Sequence, residues 1–255
     1  MKDSNTYIAS IAGFDPSGGA GIIADVKTFE AHQLYGLSVC TAVTVQSDIS
    51  FKYCQWIEES IVMAQLDILL ERFSIPVVKI GIVSSWNFLL RVIKKLKKYN
   101  ENIKIVLDPV LRSSTGFDFH EETSPASIEE VLASCFFVTP NFNEIKMLFP
   151  NKTLEQAIAI TTAHTNLFLK GGHREDRVGW DEIYFEKAKH FTLPPNVSKV
   201  YDKHGSGCVL SSALAANLSK GLSVEVACAN AKRYIETFLN SNSSLLGNHK
   251  YPNDK

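Results

Sequence analysis

The run Asp202-Lys203-His204-Gly205-Ser206-Gly207-Cys208 opens directly into Val209-Leu210-Ser211-Ser212-Ala213-Leu214-Ala215-Ala216, a helical stretch built largely from small residues. The first amides of a helix lack intrahelical acceptors and lie at the positive end of its dipole, so Gly205, Ser206 and Gly207 form a lead-in suited to an anion, a phosphate above all. Cys208 stands where that field is strongest. A thiol there is expected to have a lowered pKa and to orient or deprotonate an attacking hydroxyl. A free cysteine taken alone is most often a small buried hydrophobe; the surrounding glycines reverse that preference. The chemistry this segment suggests is phosphoryl transfer.

Other candidates are spread along the chain. Gly13-Phe-Asp-Pro-Ser-Gly-Gly-Ala-Gly21 follows an apolar run and precedes a helix. Within it Gly19-Ala-Gly-Ile-Ile-Ala24 formally fits the dinucleotide pattern, but the preceding strand ends near Ala12, seven residues before Gly19. A dinucleotide turn needs its first glycine at the strand end, so a substrate loop is the better reading. No G-x-x-x-x-G-K-[ST] occurs, which excludes a P-loop kinase. Asp25 lies near the start of the next helix and Gln46 ends an apolar run. A glutamine amide can pair bidentately with an aminopyrimidine edge, although after a strand it more often serves as a loop hydrogen-bonder.

Three polar positions follow further apolar runs. Asp108, in Asp108-Pro109-Val110, can hold Mg²⁺ through water or simply form a turn. Asn141 and Glu144, three apart, share a helix face that suits hydrated metal, and equally make a capping box. Lys170, in Lys170-Gly171-Gly172-His173, can reach phosphate oxygens as a point charge. His173 is given no role.

These positions must be held by elements, and the pattern names them. Tyr7 to Ala12, Leu37 to Val45, Pro76 to Ile80, Ile103 to Leu107, Phe136 to Val138 and Leu167 to Leu169 read as strands. Helical periodicity fills the gaps: Asp25, Val26 and Phe29; Ile61, Leu66, Leu69 and Leu70; Phe88, Leu89, Val92 and Leu96. This alternation implies βαβ units and a mostly parallel sheet with helices on both faces. Trp180 to Leu193 reads as an edge hairpin, Thr153-Leu-Glu-Gln156 as a capping box, and Thr123 or Ser124 before Pro125 as a helix start. Arg112 to His120 is expected to form a flap, and the polar tail after Asn240 to fray at its end.

Composition limits the rest. With 255 residues, 45% hydrophobic content and a formal charge of −1, the chain is read as one domain, residues 1–255, with a large core and no broad nucleic-acid surface. Lys94, Lys95, Lys97 and Lys98 read as a solvated helix face. The five cysteines are scattered, which fits neither a disulfide framework nor a zinc site, and no run is long enough to span a membrane. A reducing cytoplasm is the expected home.

Seven segments in order resemble the hydroxymethylpyrimidine/phosphomethylpyrimidine kinase family of thiamine biosynthesis, within the ribokinase-like superfamily. They are AGFDPSGGAGIIADVKTF at 12–29, TAVTVQ at 41–46, VKIG at 78–81, VLDPVL at 106–111, TPNFNE at 139–144, LKGGH at 169–173 and HGSGCVLSSALAANLSKG at 204–221. The resemblance implies an α/β fold, a three-layer αβα sandwich, usually assembled as a homodimer. It implies phosphorylation by ATP and Mg²⁺ of 4-amino-5-hydroxymethyl-2-methylpyrimidine, then of its monophosphate. By resemblance Gln46 reads the pyrimidine, with Asp25, Gly13, Val45, Ile82 and Val110 around it. Asp108 and Glu144, with Asn141, organise Mg²⁺; Lys170, Asn141 and Asp108 face ATP; the Gly205–Cys208 amides hold the travelling phosphoryl group. Cys208 replaces the aspartate that ribokinase-like sugar kinases use as base, so Cys208→Ala is expected to impair the first step more than the second. Phe14, Ile82 and Arg112 depart from the commoner pattern. A pyridoxal kinase and a catalytically silent pyrimidine-binding module are the rival readings.

Overall fold

The structure, a computed structural model, describes residues 6–111, 125–174 and 176–250. Arg112–His120, with Thr123 and Ser124, lies outside them. Among the described residues nine strands form one sheet in the order β3-β2-β1-β4-β5-β6-β7-β8-β9: β1 (Tyr7–Phe14), β2 (Tyr35–Gln46), β3 (Phe51–Trp56), β4 (Val77–Ile80), β5 (Lys104–Leu107), β6 (Phe137–Val138), β7 (Asn166–Leu169), β8 (Asp181–Phe185) and β9 (Lys189–Leu193). The central pairings from β2 through β7 are parallel, while β3 at one edge and the β8–β9 hairpin at the other are antiparallel.

Side chains alternate across the sheet because successive residues of a strand face opposite ways. Ala9, Ile11, Val78, Ile80, Ile105, Leu107, Val138 and Leu167 build one core. It is covered by α2 (Glu59–Arg72), α3 (Trp86–Tyr99), α4 (Pro125–Ser134), α5 (Phe142–Leu148) and α6 (Leu154–His164). Their strand neighbours Ile8, Val77, Val106, Phe137 and Phe168 build the other, under α1 (Gly21–Ala31), α7 (Ser206–Ser219) and α8 (Val224–Leu239). This is the expected αβα sandwich.

The strand list drawn from the sequence misses β3. Phe51–Trp56 is half-exposed or exposed along its whole length, so it has no apolar face to announce it. Ile61, expected on a buried stripe, is 51% exposed, and Val62, Leu66 and Leu70 bury that face instead. The Thr153–Gln156 capping box is present. Lys94 and Lys95 sit on the surface, paired with Glu130 and Asp67. Residues 241–250 are held against the body of the chain, and the end of the tail, residues 251–255, lies outside the described residues. Leu245 accepts from the His204 amide at 2.9 Å, Asn242 accepts from Lys203 Nζ at 2.7 Å, and His249 packs on Phe238. Among the described residues no helix is long and apolar enough to cross a membrane.

Strand order reverses between β1 and β4, where β2 leaves to one side and β5 to the other. A crevice opens at the carboxyl ends of parallel strands at such a point.

Candidate active site

The glycine turn is assembled against the loop after β1. Gly205 caps α7 with φ +75°, a left-handed conformation that suits glycine, and a methyl group on it would lie 1.9 Å from the Gly19 carbonyl oxygen. A buried bridge locks the two loops together: His204 Nε2 lies 2.8 Å from Asp15 Oδ2. The same carboxylate accepts from the Ser17 and Ala20 amides, both at 2.9 Å. Burial pushes the Asp15 carboxyl up, but the bonds from His204 and Ser17 outweigh it and hold it below the usual range. The glycines thus serve loop-to-loop contact as well as ligand access. Ser206, Gly207 and Cys208 are half-buried residues, and among the described residues no backbone carbonyl accepts from their amides.

Beside Gly207 stands a cluster from the ends of β5, β6 and β7. A methyl group on Gly207 would lie 3.3 Å from Lys170 Nζ and 3.8 Å from Asp108 Oδ2. Lys170 Nζ donates to Asp108 Oδ1 at 2.8 Å and lies 3.5 Å from Glu144 Oε2. Asp108 also accepts from Thr139 Oγ1 at 3.2 Å and Ser211 Oγ at 3.1 Å. Burial opposes charge on Asp108, yet Lys170 and then Lys79 keep its pKa low. Glu144 goes the other way: burial raises it, and the Asp108 charge adds to the rise against Lys170. Lys170 stays charged, its carboxylate neighbours prevailing over burial. Asn141 and Glu144 form the capping box of α5, with Asn141 Oδ1 accepting from the Asn143 and Glu144 amides and Glu144 Oε2 accepting from the Asn141 amide at 2.7 Å.

Among the described residues no three His, Cys, Asp or Glu side chains gather as metal ligands. Two carboxylates around one lysine suit a divalent cation that keeps most of its waters better than a caged ion.

Two expectations need correction. Asp25 does not face the crevice. It is fully buried and saturated, with Oδ1 accepting from Lys79 Nζ at 2.9 Å and Ser212 Oγ at 2.7 Å, and Oδ2 from Lys79 Nζ at 2.8 Å and Ser10 Oγ at 2.5 Å. It sits in the second turn of α1, on the side that packs under α7, so its helical phase turns it inward. Nor is the Cys208 thiol acidified. Burial pushes it up to about 11, against the pull of the Lys79 charge. Desolvation defeats the helix field here.

The ends of β1, β2 and β4 carry the remaining candidates. Gly13 lies under Ile82, whose Cδ1 would be 2.5 Å from a Gly13 methyl group. Thr41 Oγ1 fixes Ile82 by donating to its carbonyl at 2.7 Å. Gln46 ends β2 just past a register shift, which re-aims its side chain. Its Nε2 donates to Thr44 Oγ1 at 2.9 Å, using one N–H, and Thr44 donates on to the Phe14 carbonyl at 2.9 Å. Bidentate pairing needs Oε1 and the second N–H. Val45 is 51% exposed beside it, and Val110 is half-buried, lining with Gly81, Pro109 and Leu111 a hollow between β4 and β5.

Sequence reasoning did not find Lys79, Asp15, His204, Thr139, Ser211 or Ser212. Lys79 had a signal, a lysine inside the otherwise apolar run Val77–Ile80. The adjacent serines had another, two hydroxyls within a helix of leucine and alanine.

The chain compares with known proteins along its length. The sequence model of the phosphomethylpyrimidine kinase family matches residues 15–254. A hydroxymethylpyrimidine/phosphomethylpyrimidine kinase of Rhizobium meliloti is 34% identical over 246 residues, covering 92% of this chain and 91% of that protein. A probable thiamine biosynthetic bifunctional enzyme of rice is 30% identical over 250 residues, 94% of this chain and 45% of that longer protein. In three dimensions, the pyridoxal kinase of Staphylococcus aureus, solved with AMP-PCP and pyridoxal, superposes with a TM-score of 0.83 at 22% identity, covering 98% of this chain and 96% of that one, which marks a shared fold. A family match spanning the glycine turn and the polar ends of the parallel strands, with a close relative over nine-tenths of both chains, means that this chain belongs to the phosphomethylpyrimidine kinase family.

Proposed function

We propose that this chain phosphorylates 4-amino-5-hydroxymethyl-2-methylpyrimidine with ATP, and then its monophosphate, in thiamine biosynthesis. The observation that carries this reading is the meeting of Lys170 Nζ, Asp108 and Gly207 at the first turn of α7, beside amides without backbone acceptors. Phosphoryl transfer asks for positioning and charge stabilisation rather than covalent chemistry.

In this reading Gln46 reads the aminopyrimidine edge, held in orientation by Thr44, while Gly13, Ile82, Val45 and Val110 enclose the ring. Lys170 contacts the nucleotide phosphates. The amides of Ser206, Gly207 and Cys208, entered through Gly205, receive the phosphoryl group in flight. Asp108 and Glu144, with Asn141 fixing Glu144, would hold a hydrated Mg²⁺, which would supply neutralisation of phosphate charge. The small thiolate fraction of Cys208, whose thiol burial raises to about 11, takes the hydroxymethyl proton in the first step and becomes the neutral thiol. The second nucleophile is an anionic phosphate oxygen and needs no such help.

Residues 1–255 act as one kinase domain in the cytoplasm, a setting that suits five free cysteines. The assembly is a homodimer. Its support is the antiparallel β2–β3 edge, where Val43 and Tyr53 are exposed.

A coupled assay with ATP·Mg²⁺ and each alcohol, with products resolved as mono- or diphosphate, tests the activity. The aminopyrimidine alcohol is expected to give both products and pyridoxal little. Gln46→Ala should cost the pyrimidine about ten- to hundredfold in kcat/KM, the worth of one bidentate pair, and leave pyridoxal turnover nearly unchanged. Preferred turnover of pyridoxal, or none of either alcohol, overturns the assignment.

A further inference from the structure

Two buried aspartates in this molecule have the same set of partners. Asp25 takes a lysine, Lys79, and two hydroxyls, Ser10 and Ser212. Asp108 takes a lysine, Lys170, and two hydroxyls, Thr139 and Ser211. In each set one hydroxyl comes from a strand or the residue just past it, Ser10 in β1 and Thr139 after β6, and one from α7, and the two α7 serines are adjacent. Both aspartates, both serines, Ser10 and Thr139 have no exposed surface.

The helix geometry connects these sets to the turn above. Residues four apart share a helix face, so Ser211 lies one turn beneath Gly207 and Ser212 one turn beneath Cys208. Ser211 Oγ also approaches the Gly207 carbonyl at 3.0 Å. Serine is a mediocre helix former that competes with the backbone for bonds, and buried ion pairs are seldom better for stability than apolar packing. Two serines and two ion pairs in the core of one helix therefore need a reason other than stability.

We propose that Ser211 and Ser212 are paired positioning residues: tied to Asp108 on one flank and to the Lys79-held Asp25 on the other, they fix the first turn of α7 so that the Gly207 and Cys208 amides meet the phosphoryl group in flight. The proposal rests on the reading of that turn as the phosphoryl site. It separates the two serines from residues that touch substrate, since neither reaches the crevice.

Ser211→Ala and Ser212→Ala remove a hydroxyl and leave the charge balance intact. For each, calorimetry compares ADP·Mg²⁺ alone with ADP·Mg²⁺, aluminium fluoride and the aminopyrimidine alcohol, a mimic of the transferring group. The alkylation rate of Cys208 by iodoacetamide in the ligand-free protein is read by peptide mass spectrometry. We expect the aluminium fluoride complex and kcat to fall about tenfold or more, ADP·Mg²⁺ binding to stay within about twofold, and Cys208 to alkylate several times faster. Wild-type aluminium fluoride binding together with wild-type alkylation in both variants overturns the proposal, even if melting temperature drops. A wild-type protein that phosphorylates neither alcohol defeats the assigned activity instead, and the alkylation rates still decide whether the serines hold the turn.

Discussion

Cys208 receives two opposing influences, the field of a helix start and the loss of solvent, and the second prevails, with a thiol raised to about 11. Thiolate is therefore scarce at neutral pH and grows about tenfold per pH unit below that value. If Cys208 is the base, kcat for the alcohol should climb from pH 7 to 9, kcat for the phosphorylated substrate should not, and Cys208→Ala should abolish the climb. Equal slopes in both steps would exclude the role. At this scale residue types were legible in the sequence: Lys170, Asp108, Gly207 and Cys208 do converge. Orientation was not. Asp25 looked like a ligand because it lies near a helix start, and only the packing of α1 under α7 turns it into the core.

Elements were legible where burial is one-sided or complete. The runs that became β4, β5, β6 and β7 are wholly apolar or nearly so, and both capping boxes carry their signature in four residues. β3 and the ordered tail were not, because a half-exposed edge strand and a polar segment held by backbone bonds have no hydrophobic period. The tail includes His249, whose ring meets Phe238 and Tyr234 and whose Nδ1 lies 3.0 Å from the Tyr234 hydroxyl. Burial depresses this imidazole to about 4, with Lys27 and His32 adding to the effect. A depressed base contributes stability above its unfolded value near 6.5 and loses it as pH falls through the folded one. Hydrogen exchange over residues 241–250 should therefore accelerate, relative to intrinsic rates, between about pH 6.5 and 4, and His249→Phe should remove that dependence. Unchanged protection across the range would mean that the ring stays packed when charged.

For the whole molecule, the αβα layering follows from alternation along each strand, which the sequence displays openly. The meeting of the two glycine loops is invisible there: Asp15 and His204 are 189 positions apart, and nothing local in either announces the other. The same holds for Asp25, which joins β1, α1, β4 and α7. Asp25→Ala strands the Lys79 ammonium in the core and should cost about 3–5 kcal/mol in a urea titration. A raised KM with unchanged stability would mark it as a ligand after all.

The helix that opens on the glycine turn is also the cover of a hydrophobic face, and it is synthesised after the strands that form that face. Ile8, Val77, Val106, Phe137 and Phe168 leave the ribosome well before Val209, Leu210, Ala213 and Leu214 arrive to shelter them. A nascent or truncated polypeptide lacking α7 is thus inert and adhesive at once, a natural client for chaperones, and quality control has no active intermediate to spare.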